Sequence, residues 1–311
     1  MPKFLKVTLL ILGFLLLSPI LLLCVVALFN GRIGIATDFS ESAMHASPPA
    51  PLTDSLTLKV ITFNIQDLAL VSEERPRRMR GIGAALLVLD PDIVGFQESF
   101  IEADREILLA ELAHTRLQHH QYYPSATGGS GLLISSVFPI KEVYFHRYTV
   151  SNPAYKIWEG DWWAGKGVAL ARLELPEGGS FDIYNTHAQA GYGNPDYDIV
   201  RTQQMAELAA FVTASQCTTT PTFVVGDMNC RPGDADFETA VKGAGLVRAM
   251  VGDSRIDHIF NVKNPYYSFR VVETVPIEHT VKLGDKELEL SDHTGWMSTI
   301  EIQPAAAVQQ P

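Results

Sequence analysis

A series of polar residues stands where apolar runs stop: Asn64, Glu98, His187, Asp227 with Asn229, Asp257, and Asp292 with His293. Each has an ordinary explanation, since Asn and Asp close turns and a single His is commonly a satisfied core or surface residue. Turns do not account for the repetition of one placement, and loops at strand ends are where sites are commonly built. The chemistry on offer is coherent. Asn64 and Glu98 supply hard oxygen ligands, and no Cys or His cluster has zinc spacing, so Mg2+ is the natural ion, with Mn2+ or Ca2+ as alternatives. His293 can serve as a general base, made more basic by a neighbouring carboxylate. Asn229 and His187 can donate hydrogen bonds to charge developing on a phosphoryl group.

Strands must carry most of these residues. LKVITFNI (58–65) alternates and is β-branched, DIVGFQE (92–98) is a short apolar run, and GLLISS (131–136), GVALARLEL (167–175) and FDIYNTH (181–187) follow the same pattern. TFVVGDMN (222–229) is a buried run ending in polar residues, and RIDHIF (255–260) and GWMSTIEI (295–302) complete the set. Met79, Ile82, Ala85, Leu86 and Leu89 recur at helical spacing within 73–89; helices are also predicted over 101–113 and between Pro195 and Thr213. Consecutive strands without intervening helices in the middle of the chain point to two packed mixed sheets with helices outside, not to a doubly wound parallel sheet.

The ordered series FNI (63–65), GFQE (95–98), GSGLLISS (129–136), NTH (185–187), GDMN (226–229), RIDHIF (255–260) and SDH (291–293) resembles the motifs of the endonuclease/exonuclease/phosphatase superfamily, over almost all of 56–302. The resemblance implies a four-layer α/β sandwich and metal-dependent phosphoester hydrolysis by in-line attack of water. It implies a metal site at Asn64 and Glu98, His293 as the base that activates water, and Asp257 as the carboxylate that orients His293. It places His187 and Asn229 on the scissile phosphate and gives Asp227 the task of orienting the phosphate or the nucleophile. Asp292 would help at the metal or position His293.

The stretch GDWWAGKGVALARL (160–173) resembles the aspartate-aromatic-x-x-Lys-Gly segment of neutral sphingomyelinases and related sphingolipid phospholipases C, which implies substrate-binding roles for Asp161 and Lys166. The plain alternative is a hairpin with aromatic packing and a solvated lysine. If Lys166 instead meets the lipid phosphate, Lys166→Ala should lose lipid cleavage at unchanged thermal stability. Arg201 and Gln204 fit the Arg-x-x-Gln-like pattern of such enzymes. The chain departs from them after NTH: their Thr-His-Leu-His-Ala-Glu is here THAQAGYG, so Gln189 replaces the second histidine and Gly191 the acidic residue.

Charge narrows the class. The 311 residues carry 24 Lys+Arg and 35 Asp+Glu, and with 47% hydrophobic residues the chain has ample material for a core. Only Lys3, Lys6 and Arg32 are charged before Asp38, which leaves 21 basic against 35 acidic residues beyond them, a net −14. So acidic a domain is a poor general binder of duplex DNA. The expected function is therefore a membrane-anchored, Mg-dependent phosphoric diester hydrolase, a sphingomyelinase-like phospholipase C with a membrane lipid as substrate. An exported metal-dependent nuclease of the same superfamily is the alternative, and nucleic acid the less favoured partner. RIDHIF lacks the cysteine-containing motif of inositol polyphosphate 5-phosphatases. A binding domain that has lost catalysis would lack catalytic residues, and none is missing.

Residues 7–29 carry no charge over 23 positions, long enough to cross a ~30 Å hydrocarbon core. The lysines before them predict a cytoplasmic N-terminus and an extracytoplasmic domain, periplasmic or extracellular, on a single-pass anchor. A cleaved signal peptide would have a shorter apolar region and a small-residue cleavage site. The expected organisation is an anchor over 1–32, a Ser-, Ala- and Pro-rich linker over 33–55, a catalytic domain over 56–302 and a loose tail over 303–311. Trp158, Trp162 and Trp163 suit a lipid interface or a core, and Tyr266 and Tyr267 suit lipid contact or loop packing. Arg75, Arg77, Arg78 and Arg80 read as the solvated face of the first domain helix. Cys217 and Cys230 flank a predicted strand that would hold them too far apart to pair, so two free thiols are expected.

Overall fold

The structure is a computed structural model that describes residues 2–30, 48–125, 128–175, 178–252 and 255–305. Most of the expected linker and the last six residues of the expected tail lie outside the described residues. The chain runs α1 (Lys3–Asn30), β1 (Leu56–Asp67), α2 (Arg75–Leu89), β2 (Ile93–Ser99), α3 (Glu102–Leu112), β3 (His119–Tyr122), β4 (Leu133–Ser136), β5 (Ile140–Arg147), α4 (Asp161–Ala164), β6 (Gly167–Glu174) and β7 (Ser180–His187). It continues through α5 (Asp196–Ser215), β8 (Thr222–Asp227), α6 (Ala235–Ala244), β9 (Leu246–Arg248), β10 (Asp257–Val262), β11 (Tyr267–Pro276), β12 (Thr280–Leu283), β13 (Lys286–Glu289) and β14 (Trp296–Pro304).

Two six-stranded sheets form, in the orders β11-β14-β1-β2-β4-β3 and β5-β6-β7-β8-β10-β9, with β12-β13 as a separate hairpin. Each sheet contains one parallel pair, β1 with β2 and β7 with β8, and is otherwise antiparallel. Alternation along the strands splits the apolar residues into layers. Val60, Ile93, Ile134, Ala169, Ile183, Val225, Ile259 and Ile300 meet between the sheets. Ile61, Phe63, Val94 and Phe96 face Met79, Ile82, Leu86, Leu108 and Leu112 of α2 and α3. Leu170, Tyr184, Val224 and Phe260 face Met205, Leu208, Val212, Phe237 and Ala240 of α5 and α6. The order helix, sheet, sheet, helix is the four-layer sandwich expected from the sequence.

Two polar features fix one sheet against the other. Gln97 on β2 donates from Nε2 to Asn185 Oδ1 on β7 at 2.7 Å, and Asn185 Nδ2 donates to Phe96 O at 2.8 Å, all buried. Within the second sheet, Gly226 has φ +155°, and a Cβ there would lie 2.1 Å from Thr186 O, so only glycine lets β8 run this close to β7 ahead of Asp227.

Several readings of individual residues change. Arg78 is buried, not solvated: it donates to Ile65 O, Gln66 O and Leu290 O, and so ties β1 to the segment before His293. The backbone carbonyls at a frayed strand end need donors, and a guanidinium supplies several at once. Arg75 pairs with Asp104 at 2.7 Å. Tyr267 is buried with its hydroxyl donating to Thr219 O, and Tyr266 packs on the inter-sheet core, so neither reaches for lipid. Cys217 and Cys230 are buried and unbridged.

His258 on β10 is buried against Phe237 and Phe260 and bonds Cys230 O through Nε2. Burial pushes its pKa down to about 4. A depressed histidine contributes stability that is complete above about pH 6.5 and is lost as pH falls toward 4, because the folded state resists the proton that the unfolded chain accepts. On the order of 3 kcal/mol is at stake across that window at ~1.4 kcal/mol per unit. The His258→Gln variant is expected to lose this part of the pH slope when urea midpoints are compared with wild type between pH 4 and 7. Parallel slopes would remove His258 as the cause.

Candidate active site

Parallel strands end together, so β1 and β2 bring Asn64 and Glu98 to the same end of the sandwich as β7 and β8 bring His187 and Asp227. Asp257 opens β10 directly opposite Asp227 in the antiparallel register. The loop before β14, which pairs Trp296 with Thr62, delivers Asp292 and His293 there as well. Glu98 and Asn229 hold φ of +58° and +52°, conformations that cost non-glycine residues on the order of 1–3 kcal/mol and that turn their side chains out of the strand direction.

The side chains form one connected network. Asn64 Nδ2 donates to Asp227 Oδ2 at 3.0 Å, and the Asn64 amide stands beside the Glu98 carboxylate and lowers its pKa against the effect of burial. His187 Nε2 lies 3.4 Å from Asp227 Oδ2 and 3.8 Å from Glu98 Oε1. Asn229 N donates to Asp227 Oδ1 at 3.0 Å, and Asn229 Nδ2 donates to Ala188 O at 3.1 Å. His293 Nδ1 meets Asp257 Oδ2 at 2.9 Å, while His293 Nε2 is 3.8 Å from Asp227 Oδ2. Since Asp257 takes the Nδ1 proton, Nε2 is the nitrogen available for proton transfer. Asp292 is exposed, with Oδ1 accepting from Ser291 Oγ at 3.3 Å; no bond or ion pair joins it to Asn64 or Glu98 among the described residues.

Asp161 and Lys166 join from the other side. Asp161 begins the short helix α4 and Lys166 precedes β6; both are buried, with Lys166 Nζ 2.7 Å from Asp161 Oδ1. Lys166 Nζ also lies 2.9 Å from His187 Nε2 and 2.8 Å from Ala188 O. The ammonium therefore spends its three protons inside the protein, and neither a solvated lysine nor one free to meet substrate describes it. The WW pair stacks edge to face, with Trp163 Nε1 bonding Ala154 O, while Trp158 is exposed.

The charge balance suits a cation. Burial raises the pKa of Glu98; burial and then the charge of Asp257 raise Asp227 to about 6. Burial also raises Asp257, opposed by its bond to His293. His187 is pushed well down, by burial and then by the charges of Lys166 and His293. His293 is held up at about 10: burial works against its charge, but the bond to Asp257 and the charges of Asp227, Asp257 and Asp292 prevail. The oxygens of the Glu98, Asp227 and Asp257 carboxylates and of the Asn64 amide are the hard donors a divalent ion prefers. Ligand atoms of Asp227, Asp257 and His293 all lie within 4.8 Å of one another, and Asp257 Oδ1 is buried without a hydrogen-bond partner.

A family model described as the Endonuclease/Exonuclease/phosphatase family matches residues 61–293. Human sphingomyelin phosphodiesterase 2 is 34% identical over 288 residues, covering 83% of this chain and 67% of its own length. The inositol phosphosphingolipids phospholipase C of Schizosaccharomyces pombe is 33% identical over 192 residues, 61% of this chain and 45% of that protein. The chain thus spans about half to two thirds of the length of the curated relatives it matches. Among solved structures, sphingomyelinase C from Streptomyces griseocarneus aligns with a TM-score of 0.61 at 20% identity, over 78% of this chain and 99% of that one. Beta toxin from Staphylococcus aureus with bound magnesium ions aligns with a TM-score of 0.62 at 19% identity, over the same shares. At these identities the structural likeness shows the fold.

Proposed function

This chain belongs to the endonuclease/exonuclease/phosphatase family, and from that premise we propose that it is a membrane-anchored, Mg-dependent phospholipase C that cleaves the headgroup phosphodiester of a sphingolipid. The observation that carries hydrolysis is the Asp257–His293 pair, with Nε2 turned toward the carboxylate-rich floor of Asn64, Glu98 and Asp227. Water would lose its proton to His293 Nε2 as its oxygen forms the new bond to phosphorus, and the bond from phosphorus to the ceramide-side oxygen would break in line, that oxygen leaving with the bonding pair and taking up a proton from solvent to depart as the alcohol. Asp257 fixes the ring and its tautomer. Asp227, tied to Asn64 and to the backbone of Asn229, orients the attacking group or the phosphate, and the Asn229 amide, which spends one proton on Ala188 O, would offer its other to phosphate. His187, accepting from Lys166, steadies the opposite side. Glu98 and Asn64 would hold the ion, with Asp292 at its margin. When bound, it supplies positive charge for the phosphoryl and leaving oxygens and offsets the carboxylate pull that keeps His293 protonated.

The lipid reading is supported by the GDWWAGKG segment, by the sphingolipid-directed names of the relatives, and by the surface beside the site. Tyr155, Ile157 and Trp158 are 73%, 53% and 76% exposed on the loop leading into α4, and Leu70 and Val71 are 100% and 69% exposed on the loop after β1. Lys156 and Glu159 neutralise each other at 3.2 Å, leaving the first of these loops uncharged overall. Aromatic and aliphatic side chains of this kind sit well at a bilayer interface. α1 is long and apolar enough to cross a membrane, and Lys3 and Lys6 would keep its start cytoplasmic.

The full chain incubated with sphingomyelin vesicles, other phospholipid vesicles and plasmid DNA in parallel is expected to release phospho-headgroup from the first. Nicked plasmid with intact vesicles would transfer the chemistry to nucleic acid. EDTA should abolish turnover and Mg2+ restore it. Glu98→Gln removes a charged ligand, expected to cost roughly ten- to a hundredfold at limiting Mg2+ and to be partly rescued by excess. Full turnover in chelator would end the metal reading.

A further inference from the structure

Gln189 stands where the resemblance expects a second histidine, and the structure places it, fully buried, at the junction of three segments. Its Oε1 accepts from Asn152 N at 2.9 Å, and its Nε2 donates to Asp161 Oδ2 at 2.6 Å and to Ala190 O at 3.1 Å. Only one orientation of the amide serves both a backbone N–H and a carboxylate. Its own backbone is held by α5: Gln189 N donates to Gln204 Oε1 at 2.8 Å, and Arg201 Nη1 donates to Gln189 O at 3.4 Å. Gln204 Nε2 in turn donates to Val150 O at 2.9 Å, and Arg201 Nε bonds Asp236 at 2.8 Å. The Arg-x-x-Gln pattern on α5 therefore does its work through residue 189.

We infer that Gln189 is a positioning residue that aims Asp161, and through it Lys166, at His187. Asp161 Oδ2 receives Gln189 Nε2 and Ala190 N, which leaves Oδ1 for Lys166, with the Tyr192 hydroxyl 3.4 Å away. Rotation of that carboxylate would move the ammonium that donates to His187 Nε2. An amide suits the task because it donates and accepts at once and carries no charge at any pH, in a place already holding Asp161, Lys166 and, nearby, Glu159, Tyr192 and Arg201. The inference rests on the proposed hydrolase for its kinetic readout only.

Three variants of the full chain test it. Gln189→Glu keeps the acceptor but sets a second carboxylate against Asp161. Its kcat relative to wild type is expected to fall at least tenfold at pH 8 and to recover as pH falls toward 6, where a shared proton restores the bond; KM should move less than threefold. A purely structural role would leave that ratio flat with pH. Gln189→His retains donor and acceptor and should stay within about threefold of wild type above pH 7, whereas Gln189→Leu, which has neither, should lose at least tenfold in kcat. Equal kcat in the His and Leu variants would overturn the inference, and so would a flat ratio in folded Gln189→Glu. Nitrogen-15 histidine spectra separate this from the substrate question. The His187 Nε2 resonance should shift in Gln189→Leu and not in Gln189→His, even if no lipid is ever cleaved; an unmoved resonance in Gln189→Leu counts against the positioning role.

Discussion

His293→Ala is expected to lower kcat by about 10²–10⁴-fold on every phosphodiester the protein accepts, with KM nearly unchanged, because it removes the proposed general base. The described neighbours of Nε2 are already engaged: Asp227 Oδ2, 3.8 Å away, accepts from Asn64, and His187 Nε2 accepts from Lys166. The variant also leaves Asp257 buried without its partner, so melting should be followed alongside turnover. Loss of activity in a protein that still melts cooperatively, restored in part by added imidazole, is the expected combination. Residual turnover within tenfold of wild type, on lipid or on a small phosphodiester, would show that another residue is the base.

Lys166→Ala should fail in two ways at once. The sequence alone suggests a lysine reaching for phosphate, whose removal spares stability. The structure instead buries Lys166 and Asp161 together, and removing one partner strands the other. Breaking such a pair costs about 3–5 kcal/mol, a fall in Tm of roughly 6–20 °C for a domain of this size. The double replacement Lys166→Met with Asp161→Leu removes both charges and should recover part of the stability, short of the whole because Gln189 Nε2 and Ala190 N lose their acceptor. Catalysis should not return with it, because His187 would still lack its donor. If the double variant regains wild-type turnover, the pair serves folding alone; if Lys166→Ala melts like wild type, the ammonium is not buried as described.

The legible parts of the molecule were those with a local signature. Strands β1, β2, β7 and β8 announce themselves by apolar runs that stop at a polar residue, and those stopping points come together in the structure. Less legible were residues whose work depends on what folds against them. Arg78 sits in a run of arginines and looks solvated; its burial follows only from the carbonyls of Ile65, Gln66 and Leu290 that converge on it. Tyr267 looks like a loop aromatic until Leu52 and Thr219 are seen to share its hydroxyl. The short edge strands β3 and β9 and the β12-β13 hairpin carry too few residues for a periodicity to show. The GDWWAGKG segment draws attention to Lys166, but nothing in it says that the lysine turns inward.

The bond between Gln97 and Asn185 joins two halves of the chain that are built alike. Each half contributes one parallel strand pair joined through a helix, β1–α2–β2 and β7–α5–β8. Asn64 and Glu98 come from the first and His187 and Asp227 from the second, and they meet where the two sheets face each other. The candidate site is therefore a seam. Its geometry is set by how far one sheet slides over the other, and a slip of a single residue spacing, ~3.3 Å, would carry Glu98 out of reach of His187 without breaking either sheet. On the proposed reaction, residues that lock the slide, such as Gln97 and Asn185, would govern turnover as firmly as those at the site itself.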